Sequence, residues 1–298
     1  MARRRCRFHH YLWHRIRNTW LRLTEGERRA VHDINPEWAP PRPALDAARR
    51  PLRDNDSGED FLFLHRRMIA LANEILAGKG DPAYPRVEGW RRVPPPLDAD
   101  YPVPEFPESE LEEVKSADYF SQVVEPWEMR YNDHDYLKSV RLGQLGSDLE
   151  STIHCAMHVR WAAPSPVGYR PPNLFEDGIS RRWDAPTYDY LGDTYSSHVN
   201  PLFWKIHGWV DERVRDWQRA HGRAGDIEWK GTWMGPAAHH AHLDAARRGA
   251  PATNDAVAED MNRIDRILSA SAAGGFDGFF RPPARPNHPT MPVPRRRE

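Results

Sequence analysis

The residues of this 298-residue chain best suited to chemistry are histidines set at helical spacings. His154 and His158 lie four apart in DLESTIHCAMHVRW, and residues four apart stack on one side of a helix. His207 falls in HVNPLFWKIHGWVDERVRDW, beside an apolar stripe of Phe203, Ile206, Val210, Val214 and Trp217. An imidazole turned toward a core needs a partner. Two helices that bring three imidazoles together form a nitrogen-donor metal site of the kind that suits Zn, Cu, Fe or Ni. A lone histidine on an apolar face is more often a hydrogen-bonded core residue, so the weight rests on three converging. The zinc-protease pattern HExxH is excluded, because Cys155 stands where that chemistry needs a general-base glutamate.

Helices must position these side chains. Asn200 can cap free N–H groups and Pro201 loses nothing at the first helical position, which predicts a helix over 200–220. A second helix is expected over 136–161, with Val140, Leu145, Leu149, Ile153, Met157 and Trp161 facing inward and Glu150 one turn before His154. A third spans 59–77, where Leu62, His65, Ile69, Ala72 and Leu76 form one stripe and Gly78 closes the helix. Val257, Met261, Ile264 and Leu268 predict a fourth over 254–271. Ahead of these, a helix from His9 to Leu23 precedes a capping box of Thr24 and Glu27 that starts another through Asp33. Residues 39–56, 79–113 and 162–197 are loops, the middle one a Pro-rich surface excursion that walls a cleft. The cluster of His239, His240 and His242 is expected to face solvent. The fold class is mainly α: one helical bundle over 1–272 holding a metal site, with long irregular Pro-rich loops. A Pro/Arg-rich tail over 273–298 forms no core and is partly disordered.

Two phrases carry a family resemblance. NPLFWKIHGWVD, followed by RVRDWQRAHG, closely resembles the second copper motif of type 3 copper proteins (tyrosinases, catechol oxidases, hemocyanins), commonly DPxFWxxHxxxD. LESTIHCAMHVRW resembles that family's LExxxHNxVHxxVG. The resemblance implies a tyrosinase-like bundle in which His154, His158 and His207 hold one copper, CuB, framed by Asn200, Pro201, Phe203 and Asp211. FLFLHRRMI resembles FLPWHRxxL, which makes His65 a ligand of the second copper, CuA. RIRNTWLRLTEGERRAVHDI resembles the helix-turn-helix that opens many bacterial tyrosinases. The implied activity is that of a dicopper oxidoreductase, a phenol oxidase or monooxygenase using O2 on a phenol, catechol or aryl amine, as in natural-product tailoring. By the same resemblance Glu150 either handles a water and a proton near copper or is an ordinary neighbouring carboxylate.

The chain departs from the family in three places. Cys155 replaces a common Asn, and Asn200 replaces a common Asp. Asp56 occupies the position, nine residues before His65, where a CuA histidine normally lies. His32 is the best replacement by chain order, Asp56 the weakest by its hard oxygen, and His10 with His14, four apart in HYLWH, would restore three nitrogens by another route. Two coppers are implied if that site is complete and one if it is not. The alternatives to a dicopper enzyme are a single-metal protein, with Cu or Zn, and a non-catalytic binding protein that retains the bundle.

Forty-two Lys and Arg against 43 Asp and Glu give a formal charge of −1, which argues for no nucleic acid and no anionic membrane as partner. The basic ends, MARRRCRFHHYLWHRIR and PVPRRRE, are expected to be solvated. No run of about 18 apolar residues could span a bilayer, and no signal segment is visible, so a cytoplasmic location is expected. Cys6 and Cys155 make no disulfide framework. The partners expected are O2 and a small aromatic molecule; nothing in the residues indicates a copper-delivery or carrier protein.

Overall fold

Helix α1 (Arg4–Thr19) is buried on nearly every side from Arg7 to Arg17. This overturns the expectation of a solvated basic segment. Its buried arginines are accommodated because backbone carbonyls, hydroxyls and the Glu150 carboxylate take up most of their N–H groups. Arg7 donates to the Tyr188 and Ala185 carbonyls, Arg15 to the Ser271 carbonyl and hydroxyl, and Arg17 to the Ser57 carbonyl and to Glu150. A guanidinium with its donors filled can sit inside a protein; an unpaired one cannot. The computed structural model that shows this describes residues 2–105, 111–164, 181–223, 225–236, 254–276 and 278–285.

The molecule is mainly helical, and among the described residues there is no sheet, only isolated bridges such as Asp193–Phe279. The capping box forms as expected: the Thr24 side chain accepts from Glu27 N, and α2 (Glu25–Ile34) follows. Helix α3 (Ser57–Lys79) is closed by Gly80 in the left-handed region, two residues beyond the expected Gly78. The Pro-rich excursion is not wholly on the surface. Trp90 and Val93 are buried, and the loop is pinned where Trp90 N donates to Lys205 O at 3.2 Å. It leads into α4 (Glu112–Lys115) and α5 (Ala117–Tyr119), then a π-helical stretch Phe120–Val124 and α6 (Glu125–Asn132).

The helix expected over 136–161 is interrupted. Short α7 (His134–Ser139) ends where Val140 and Arg141 are extended, with ψ of 150° and 155°. Trp217 Nε1 donates to the Val140 carbonyl at 2.9 Å, so a tertiary partner takes up a carbonyl that the break frees. The helix resumes as α8 (Leu142–Leu149), passes through a π-helical turn Glu150–His154, and ends as α9 (Cys155–Trp161). Helix α10 (Pro201–Ala220) begins as the sequence predicts, with Asn200 Oδ1 accepting from Leu202 N at 2.9 Å. Helix α11 (Asn254–Ala270) completes the set.

Backbone contact locks α3 to α8. A Cβ on Gly58 would lie 2.1 Å from both the Gly143 oxygen and Ser147 N, and one on Gly146 2.2 Å from the Gly58 oxygen. No flexible side chain is there to yield. Gly146→Ala is therefore expected to destabilise the fold by about 1–3 kcal/mol or more, read as a lower thermal midpoint; an unchanged midpoint would contradict the close crossing.

The boundary expected at residue 272 does not appear in the packing. Phe280 is buried in the main core and Phe276 packs against it, while Phe280 N donates to Gly192 O and Thr194 N to Gly278 O. A Pro-rich stretch lacks helix, but its aromatic residues can still fill a cavity that helices leave. The expected disordered end (286–298), the cluster of His239, His240 and His242, and much of the 162–197 loop lie outside the described residues.

Candidate metal centre

Five helical elements bring six histidines together. His10 and His14 come from α1, His65 from α3, His154 from the π-helical turn, His158 from α9, and His207 from α10. They form two groups, His10–His14–His65 and His154–His158–His207, and within each group one ligand atom per residue lies within 4.8 Å of the others. The groups adjoin: the His65 and His207 rings stack with centroids 4.4 Å apart at 19°, and His65 lies 6.1 Å from His154. Each group consists of an HxxxH pair plus one histidine that follows a phenylalanine by four residues.

The backbone sets the orientation of these rings. His65 Nδ1 meets the Phe61 carbonyl at 2.8 Å and His207 Nδ1 meets the Phe203 carbonyl at 2.8 Å. His10 Nδ1 meets the Thr194 carbonyl at 2.6 Å and His158 Nδ1 the Leu191 carbonyl at 2.9 Å. A carbonyl only accepts, so in each case Nδ1 carries the proton and Nε2 is left with its lone pair. The Nε2 atoms of His10, His14, His65 and His158 are buried with no hydrogen-bond partner, and His154 Nε2 and His207 Nε2 lie 3.1 Å apart.

Burial keeps all six rings neutral. It pulls the His10 pKa down to about 4 and that of His158 to about 3, and holds His14, His65, His154 and His207 well below the ordinary value, with neighbouring imidazoles adding to the effect in these four. Buried polar atoms are normally satisfied. Several orphaned lone pairs pointing into shared spaces, on rings that cannot easily protonate, are the donor set a metal ion requires. The described residues thus form two histidine triads that could hold metal ions. Nitrogen-only triads suit Cu, Zn, Fe or Ni and not Mg or Ca, which take oxygen.

The remaining predicted residues fall into place differently. His32 is on the exposed face of α2 with its side chain 62% accessible, beside Asp33, and belongs to neither triad. Chain order had favoured it, but its helix face points outward, and the HxxxH pair of α1 takes that place. Asp56 is the N-cap of α3 in the left-handed region, and its carboxylate pairs with Arg141. Asp211 pairs with Arg66, which follows His65, and with Arg215, so it braces α10 against α3. Phe203 stacks on His207 with centroids 3.8 Å apart. Cys155 Sγ donates to the Glu150 carbonyl at 3.0 Å, and burial raises its thiol to about 12.

Glu150 lies at the edge of the cluster, 3.8 Å from His14 Nδ1, and accepts from Arg17 at 2.7 and 3.1 Å. His14, Glu150 and His154 line one cavity of about 270 Å³, so one histidine of each triad is reached through the same opening. Two neighbours of the site are not evident in the sequence. His198, buried, has its ring 5.0 Å from that of His10; its place just before the Asn200 cap was the only hint. Phe280 stacks on His158 with centroids 4.0 Å apart and meets His154 edge-on at 5.4 Å; lying in a Pro-rich stretch, it carried no signal.

No family model matches the chain, and no curated protein matches it. No helix of the described residues is long and apolar enough to cross a membrane.

Proposed function

We propose that this protein is a dicopper oxidoreductase of the type 3 copper class, acting with O2 on a phenol, catechol or aryl amine. One observation carries the proposal: six buried, neutral imidazoles form two adjoining triads that share an access cavity. The motif resemblance around His154, His158 and His207 agrees with it. His10, His14 and His65 would hold one copper and His154, His158 and His207 the other. Bound copper would supply one-electron redox chemistry and O2 activation, since neutral nitrogen ligands leave both oxidation states accessible.

The chain's own residues do the positioning. The carbonyls of Thr194, Phe61, Leu191 and Phe203 hold four rings in one tautomer and raise their donor strength. Phe61, Phe203 and Phe280, against the rings, exclude water. Glu150, held by the Arg17 fork, is fixed at the edge of the cluster as a hydrogen-bond acceptor. Through Oε1 or Oε2 it orients a substrate hydroxyl.

The test is copper per chain after reconstitution, together with the near-ultraviolet spectrum of the reduced protein on exposure to O2. About two coppers and a new intense band are expected, as for a two-metal site. One ion per chain with no band would mean a single-metal protein; no bound metal would leave only a binding role for the bundle.

A further inference from the structure

Among the described ring contacts, a single indole meets the six imidazoles of the triads. Trp13, 0% exposed, has its ring centroid 4.9 Å from that of His14 and 6.1 Å from that of His65. The other aromatic rings against the six are phenylalanines: Phe61, Phe203 and Phe280. A phenyl ring already supplies volume and apolar surface. An indole supplies both and also gives up an electron far more readily than a phenyl ring does.

The contacts of Trp13 lead outward. Its ring stacks on that of Trp233 with centroids 6.0 Å apart at 23°, and its Nε1 donates to the Trp233 carbonyl at 3.3 Å. Trp233 is half-buried, and its own Nε1 donates to the Glu37 carbonyl at 3.0 Å on a side open to solvent. Its backbone N–H donates to Asp60 Oδ1 at 2.8 Å, and the Trp38 ring meets it edge-on at 6.4 Å, so the stack is fixed. A continuous path of rings therefore joins the His10–His14–His65 triad to the surface. Neither indole lines the access cavity.

We infer that Trp13 and Trp233 pass electrons one at a time between this triad and the protein surface, as an outlet for oxidising equivalents that is separate from the substrate cavity. The inference rests on the dicopper proposal in needing a redox-active metal at that triad. The oxidant is the O2-derived equivalent left at the metal centre when the cavity holds no substrate. Trp13 loses one electron to it, Trp233 refills Trp13, and a one-electron reductant at the surface refills Trp233. No bond is made or broken. The carbonyls that hold both indole N–H groups accept hydrogen bonds but are too weakly basic to take the proton, so each indole returns unchanged. Electrostatics favours the outward direction. The Arg17 guanidinium lies 4.2 Å from the Trp13 ring centroid, its charge only partly offset by Glu150, and a positive neighbour raises the cost of a positive charge on the ring. Water can stabilise that charge at half-buried Trp233 and cannot at Trp13.

The test compares the full chain loaded with copper(I) and with zinc, which suits the same imidazoles but has no electron to give. Without O2, a light flash with a quencher generates tris(bipyridyl)ruthenium(III), a one-electron oxidant too bulky for the cavity of about 270 Å³. Transient absorption follows the indole radical, and electron paramagnetic resonance counts copper(II). The radical is expected to vanish sooner in the copper form than in the zinc form, with one copper(II) formed for each radical lost. Trp13→Phe and Trp233→Phe should each lose most of that copper(II) while keeping the unmodified copper content and circular dichroism spectrum. Trp127→Phe, whose indole stacks on Tyr131 and touches none of the six imidazoles, should match the unmodified chain. Because Trp233 is half-buried, its variant decides the matter if Trp13→Phe does not fold. Equal radical lifetimes with copper and zinc would overturn the inference, as would an unchanged copper(II) yield in either folded variant. A copper count that His14→Ala does not lower overturns the dicopper reading and this route together; a normal count with unchanged yields overturns the route alone.

Discussion

His14→Ala is expected to lower the copper content of the reconstituted chain from about two to about one, because a buried triad that loses one nitrogen cannot complete its coordination shell. His207→Ala should do the same at the other triad, and the double variant should retain almost none. His32→Ala should remain at the unmodified level, since His32 is exposed and belongs to neither triad. Phenol or catechol oxidation should fall in both single variants by at least the ~100-fold seen when even the partners of metal ligands are lost. Elemental analysis of purified protein, beside a circular dichroism spectrum that certifies the fold, makes the comparison. Full copper in His14→Ala, or loss in His32→Ala, would mean that α1 does not supply the second site.

A second large effect concerns acid. The six histidines have folded-state pKa values below the ordinary value of about 6.5, with His10 near about 4 and His158 near about 3. The sign follows from which state binds protons first. Between pH 6.5 and those lower values the unfolded chain protonates while the folded one resists, so the stability is fully present above about pH 6.5 and is lost as pH falls. Each histidine contributes up to about 1.4 kcal/mol per pH unit over its own window. Several acting together approach the ~5–15 kcal/mol that holds a typical domain. The metal-free protein is therefore expected to unfold, or to open around α1, α3 and α10, well above pH 4. Copper-loaded protein should hold to lower pH, because protons must first displace the metal. Urea midpoints from pH 7.5 to 4, with and without chelator, measure both curves. A metal-free midpoint that stays flat down to pH 5 would show that these rings are not buried and neutral.

Much of the helical framework was legible from local chemistry. Asn200–Pro201 marked the start of α10, Thr24 with Glu27 marked α2, and the stripe through Leu62, His65 and Ile69 marked α3. The triad His154–His158–His207 was legible for the same reason: an HxxxH pair and an apolar-faced histidine are statements about helix periodicity. Local pattern failed where the answer depended on a distant partner. The break at Val140–Arg141 accompanies a hydrogen bond from Trp217, seventy-seven residues away, and nothing in the intervening apolar stripe announces it.

What the sequence determined by itself, then, is a set of mostly helical segments and the faces on which their histidines lie. Which histidines meet was decided by tertiary structure. Chain order pointed to His32 for the second triad, yet α1 is buried on nearly all sides and brings His10 and His14 to His65. That helix looked like a solvated one because its arginines are basic, and an arginine's charge says nothing of the carbonyls that will take up its hydrogens. Only the fold supplies the oxygens of Tyr188, Ser271 and Ser57, and with them the freedom to bury a charged helix beside the site. The same holds for Phe280. A proline-rich segment carries no periodic signal, and this ring meets His158 only because the helices leave a cavity for it to fill.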